Sequence, residues 1–308
     1  QAVQILLSPL LWPFFWVLYT DIPSLASIIL ALVLVSARRY RMAATICIVS
    51  LLFRQHNIFW VLLMWCIALG QENFWTHLYA LLQCKRKDRP IPTLGSLWQG
   101  FLATAVFLIP IALFVTFFIW NQGIALGDKE NQQFGGIYPL QIFFFLLLFG
   151  ALALPLHLFY LPQICRLLFS RIWPWLILVT LFLLYMATFK IVHPHNFPSD
   201  YFLRNELLYY LQDHFRYRVL AYALIALALM SLVVMPLRFK SAYCLYPISL
   251  LALLPTSLIE QRYYIVPFCL WMLWRKPMQR SMEIVLLVWF AFMSAVLTWG
   301  IVNMRFFL

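Results

Sequence analysis

An all-helical, polytopic membrane bundle is the fold class that this 308-residue sequence predicts, on three observations. Hydrophobic residues make up 65% of the chain and charged residues 10%, against about 45–50% and about 25% in soluble domains. Apolar runs recur along the whole chain, most of them approaching the ~20 residues a helix needs to cross the hydrocarbon. The remaining charges sort by sign onto alternate loops, as the positive-inside rule requires. A water-soluble globular fold is excluded. The net charge of +12 is then a topology signal and not a nucleic-acid footprint.

Taken in order, the apolar segments are 3–19, 22–36, 42–53, 58–70, 101–120, 139–160, 172–190, 219–237, 242–258, 263–274 and 284–302, about eleven transmembrane segments in all. The first follows Gln1 with no charged n-region or small-residue cleavage site, so it does not read as a signal peptide, and the chain is expected to be incomplete at its N-terminus. Segments 42–53, 58–70 and 263–274 are short for a crossing and predict polar ends that face a protein-walled, hydrated cavity. One multi-pass domain over 1–308 is expected, with a cytoplasmic linker at 71–100 and outer loops at 121–138 and 193–218. Within the linker an amphipathic surface helix is read near 74–82, and 201–218 reads as a second.

Loop charges orient the bundle. One side collects Arg38, Arg39, Arg41, Lys85, Arg86, Lys87, Arg89, Arg166, Arg171, Arg238, Lys240, Arg275, Lys276 and Arg280, and is cytoplasmic. The other collects Asp21, Asp128, Glu130, Asp200, Glu206, Asp213 and Glu260. The unusual polar chemistry lies on that outer face. The six cysteines show no CxxC or Cys/His cluster, which supports neither a disulfide framework nor a zinc site. No P-loop, GxSxG or HExxH pattern occurs, and His193 and His195 lack a third ligand in register.

Arg54-Gln55-His56-Asn57 joins two short segments. An arginine at membrane depth costs about 2.5–3.5 kcal/mol on insertion scales, and its fixed fork of donors suits a phosphate or carboxylate. Snorkelling to lipid headgroups is the plainer reading. Glu260-Gln261-Arg262 repeats the pattern, with Arg262 able to pair with Glu260 and Glu260 able to pair with Arg54 instead. Asp21 reads as the N-cap of segment 22–36. Asn121, Asp128 and Gln141 offer hydrogen bonds of the kind a sugar accepts, although a solvated loop explains the first two equally.

These residues also resemble a family. Phe53-Arg54-Gln55-His56-Asn57-Ile58-Phe59-Trp60, Tyr19-Thr20-Asp21, Asn121 through Gly127-Asp128-Lys129, and Leu258-Ile259-Glu260-Gln261-Arg262-Tyr263-Tyr264 with Pro267 are similar, in the same order, to motifs of the terminal alpha-1,2-glucosyltransferases of asparagine-linked glycosylation. His56 replaces the usual Thr. The resemblance implies a GT-C-like fold in the endoplasmic reticulum membrane (the inner membrane if the source is bacterial). It implies inverting transfer of glucose from dolichyl, or another polyprenyl, phosphate glucose to a lipid-linked oligosaccharide, with no cofactor and with membrane lipids as surroundings. Arg54 and Arg262 would hold the donor phosphate. Gln55, Asn57, Asn121, Asp128, Gln141, Asp200 and Glu260 would bind or support the sugars. The acidic outer loop that carries the catalytic carboxylate in this superfamily would lie upstream of Gln1, which leaves Asp21 as the candidate base. The competing class is a non-catalytic lipid or sugar transporter or flippase. Such a protein places polar groups near mid-membrane on broken helices, whereas the charges here gather at one surface.

Overall fold

The computed structural model describes residues 1–16, 19–82, 94–124, 135–197, 205–303 and 305. No strand occurs among them, and an isolated antiparallel bridge pairs Leu237 with Arg275. In chain order the helices are α1 (Ala2–Leu6), α2 (Asp21–Ser36), α3 (Tyr40–Phe53), α4 (Ile58–Gln71), α5 (Phe74–Leu82), α6 (Leu94–Thr104), α7 (Leu108–Asn121) and α8 (Leu140–Leu152). There follow α9 (Leu154–Ser170), α10 (Trp173–Thr188), α11 (Glu206–Asp213), α12 (Phe215–Val234), α13 (Leu245–Leu253), α14 (Ile265–Trp274) and α15 (Arg280–Val302). They fall into two compact units. The larger contains Gln1–Leu18, Asp128–Arg238 and Leu253–Leu308, the smaller Tyr19–Gly127 and Phe239–Ala252.

The all-helical membrane class holds. Three stretches are long and apolar enough to cross a membrane alone: Leu94–Asn121, α12 and α15. In an 18-residue apolar window of each, only 17%, 28% and 28% is buried inside the protein, so their apolar faces are left for lipid. Two bent pairs, α4 with α5 at 72° and α8 with α9 at 97°, pass the same test taken together. Where the sequence reads about eleven segments, the described residues therefore supply three membrane-length helices, or five with the bent pairs.

Several boundaries move for identifiable reasons. Segment 3–19 is no single helix. Pro9 and Pro13 lack the N–H that continues one, so α1 stops at Leu6 and a 3-10 turn at Trp12–Phe15 follows. Segment 139–160 breaks at Ala153, because Pro155 at the second position of α9 cannot donate back to the preceding turn. The buried His157 turns into the break and contacts the Phe149 carbonyl at 3.0 Å. From there α9 runs on to Ser170, through the stretch around Arg166 expected as loop. The short segment 263–274 becomes α14, a ten-residue helix buried at nine positions. It is a core helix of the larger unit, which is what a length of about 10–14 apolar residues more often signals.

Packing in the larger unit depends on a close crossing of α8 and α12. A Cβ on Gly150 would sit 2.7 Å from the Leu224 carbonyl oxygen, so only glycine fits there. The same unit fastens α1 through Arg275, one of the basic residues that the sequence assigns to the cytoplasmic loops. Arg275 is 1% exposed, and its guanidinium bonds Glu283 at 2.6 and 2.8 Å and Gln4 Oε1 at 2.9 Å. Gln4 Nε2 donates to Glu283 Oε2 at 2.7 Å, completing a three-residue network.

In the smaller unit α2 and α3 form a tight hairpin. Arg38 takes the left-handed conformation (φ 55), and the Arg39 N–H reaches the Leu34 carbonyl at 2.8 Å. That is the six-to-one bond of a Schellman end, and it reverses the chain in three residues. The helix expected at 74–82 appears as α5 with the same bounds.

Candidate functional site

Within the smaller unit, the site grows from the junction of α3 and α4. Arg54 ends α3 in an extended conformation (φ −151, ψ 117), its N–H still bonded to the Ser50 carbonyl at 3.0 Å. The 3-10 turn Gln55–Asn57 then returns the chain into α4. Asn57, 2% exposed, locks that turn to two helices: its Nδ2 donates to Ser50 O at 2.8 Å and to Ser24 Oγ at 2.8 Å. Ser24 Oγ lies 3.2 Å from Asn57 Oδ1. With Asn57 fixed, the Arg54 side chain is delivered to Asp21, and Arg54 Nη1 pairs with Asp21 Oδ1.

The pair is unequal. Asp21 has 3% of its side chain exposed and Arg54 has 19%. Asp21 is the first residue of α2, with Thr20 at the cap position and no side-chain capping bond. The expected N-cap is thus corrected: the Asp21 carboxylate is turned to Arg54. A buried carboxylate next to a guanidinium is the arrangement that fixes an arginine fork in direction. Beside them His56 packs on Phe59 with ring centroids 5.1 Å apart. Gln55 is half-buried in the same turn. Asn121, at the end of α7, spends its amide on the Gly123 carbonyl at 2.9 Å, closing the turn there.

In the larger unit a second constellation is built on the extended segment before α14. Glu260 (φ −150, ψ 135) precedes the 3-10 turn Gln261–Tyr264. Arg262 Nε lies 2.5 Å from Glu260 Oε2, and both side chains are about a quarter exposed, at 24% and 23%. The Arg262 guanidinium also lies over the Tyr263 ring, 5.8 Å from its centroid. Of the two pairings open from sequence, Glu260 takes Arg262.

Two buried amides hold that segment from either side. Asn196 binds the Ile259 backbone at both ends, donating to its carbonyl at 2.7 Å and accepting from its N–H at 2.9 Å. Gln141, fully buried, donates to the carbonyls of Thr256, at 3.0 Å, and Leu258, while its Oε1 accepts from Tyr264 OH at 2.7 Å. Gln141 therefore supports the Glu260–Arg262 turn through contacts within the protein. His193 caps its own turn, with Nδ1 accepting from the His195 N–H at 3.1 Å. Asp128 and Asp200 lie outside the described residues.

Sequence reading missed Ser24 and Asn196. Ser24 was visible only as part of a helix start, and Asn196 only as one residue of His193-Pro194-His195-Asn196. Nothing in either pattern marks an anchor for a turn tens of residues away.

Comparison with known proteins places these residues in context. A family model described as the DIE2/ALG10 family matches residues 1–273. A Candida albicans protein is 26% identical over 292 residues, which is 89% of this chain and 61% of that protein. An Arabidopsis thaliana protein is 24% identical, over 89% of this chain and 66% of its own length. A Yarrowia lipolytica protein is 29% identical over 174 residues, half of this chain. All three carry the name Dol-P-Glc:Glc(2)Man(9)GlcNAc(2)-PP-Dol alpha-1,2-glucosyltransferase. The chain spans about three fifths of the length of the Candida relative. No solved structure matches.

Proposed function

The chain belongs to the DIE2/ALG10 family, and from that premise we propose that it is a membrane hexosyltransferase moving glucose from dolichyl phosphate glucose to a lipid-linked oligosaccharide. The transfer inverts the anomeric centre and takes place on the outer, lumenal face of the endoplasmic reticulum membrane. The names of the relatives supply donor and acceptor. The observation in this chain that carries the reading is the part-exposed Arg54, oriented by buried Asp21 on a turn pinned by Asn57.

The chemistry needs little machinery. The acceptor hydroxyl attacks the anomeric carbon and gives up its proton to a base, while the carbon–oxygen bond to phosphate breaks and its electron pair leaves with the polyprenyl phosphate. Charge develops on that phosphate, and a guanidinium fork held in place before the reaction stabilises it without reorganising. Arg54 and Arg262, each oriented by its own carboxylate, are the proposed phosphate ligands of their respective units. Asn57, Gln141 and Glu260 support them. Gln55, Asn121, Asp128 and Asp200 remain proposed sugar contacts.

The role of Asp21 divides. As a base it must part from Arg54 and reach the acceptor. As an anchor it stays buried and works through Arg54. Its 3% side-chain exposure and its ion pair favour the anchor. The test of the function is direct. Membranes bearing the chain are given dolichyl phosphate [14C]glucose and a diglucosylated lipid-linked oligosaccharide. Label should enter the oligosaccharide fraction from this donor and not from UDP-glucose, and the reverse preference would refute the reading.

A further inference from the structure

The smaller unit carries two thiols for which the proposed transfer has no use. Cys66 lies on α4, and Cys244 is the last residue of the 3-10 turn Lys240–Cys244. Both are free and part-exposed, and each thiol lies within the other's electrostatic reach. Far apart in sequence, they meet because their backbones are packed as closely as chains allow. Gly70 is one turn beyond Cys66 on the same face of α4. Ser241 is one 3-10 turn before Cys244, where residues three apart eclipse. A Cβ added to Gly70 would lie 2.8 Å from Ser241 Cβ, inside contact distance. The neighbouring rung of the same interface is the cysteine pair. Trp75 Nε1, donating to the Cys66 carbonyl at 2.9 Å, braces this end of α4 against α5.

We infer that Cys66 and Cys244 form a dithiol site that closes to a reversible disulfide, with a low-molecular-weight disulfide such as oxidised glutathione as oxidant. One cysteine thiolate attacks a sulfur of the oxidant, forming a mixed disulfide and releasing one glutathione thiolate. The second cysteine gives up its proton and attacks the protein-bound sulfur, releasing the second glutathione. Two protein thiols are oxidised, one glutathione disulfide is reduced to two thiols, and the two protons end on the departing glutathiones. Lys240, four residues before Cys244, places this end of the unit on the side that the charge pattern assigns to the cytoplasm, where such a thiol–disulfide pool is soluble. The site is independent of the glucosyl-transfer reading.

The test uses the full chain in membranes. After exposure to oxidised glutathione, remaining thiols are blocked with N-ethylmaleimide and the protein is digested and mapped by mass spectrometry without reduction. The expected result is a peptide pair linking Cys66 to Cys244 that dithiothreitol separates. C66S should leave Cys244 as a persistent glutathione mixed disulfide, since the resolving thiol is gone. G70A, which keeps both thiols but pushes the two backbones apart, should slow the link. Maleimide on both Cys66 and Cys244 in the treated parent chain, or either one linked to a different cysteine, overturns the inference.

Discussion

Arg54 is the residue on which the proposed function rests. Its cost at the membrane boundary is offset by Asp21, and the direction of its fork follows from bonds that Asn57 makes to Ser24 and Ser50. If Asp21 acts as anchor, D21N keeps an oxygen for Arg54 and should raise KM for the donor while kcat falls less than tenfold. A fall in kcat of about 10²–10⁴-fold with KM unchanged would show a general base instead, and steady-state kinetics in membranes separates the two. At this scale the charged residues of the candidate site are legible in the sequence, because Arg54, Glu260 and Arg262 stand out against apolar surroundings. Their supports were harder to see. Ser24, Asn196 and Tyr264 act through bonds to backbone or side chains remote in sequence, and no local pattern encodes those.

At the scale of elements, hydropathy located most helices and misjudged how several are used. α5 emerged with its expected bounds because an amphipathic stripe is a local property. α14 was read as a short span, yet it is a buried core helix, and an apolar run of that length looks the same in either setting. The break between α8 and α9 was written in Pro155 and went unread because the apolar run continues across it. Close packing yields a prediction of its own. G150A places a methyl group 2.7 Å from the Leu224 carbonyl and forces α8 and α12 apart. Overpacking of this kind costs about 1–3 kcal/mol, which should appear as a lowered melting temperature in detergent. An unchanged melting temperature would mean that the crossing relaxes freely.

For the whole molecule, the surplus of positive charge is read as the orientation signal, and the proposed function assigns the chemistry to the few charges on the opposite face. Lipid-facing sides of Leu94–Asn121, α12 and α15 explain why two thirds of the residues are hydrophobic although much of that surface is not core. Family membership over residues 1–273 and the names of the relatives point the same way as the motif resemblance, and the proposed transferase rests on both. The central claim is that Arg54 grips the donor phosphate of that reaction. It is tested most directly by measuring glucosyl transfer from dolichyl phosphate glucose for the parent chain, R54K and R54A at matched protein levels in membranes. Loss of one preorganised donor to a developing oxyanion lowers kcat by about 10²–10³-fold, so R54A should fall by at least that much and R54K, which keeps charge without the fork, should lie between. Parental activity in R54A would contradict the account.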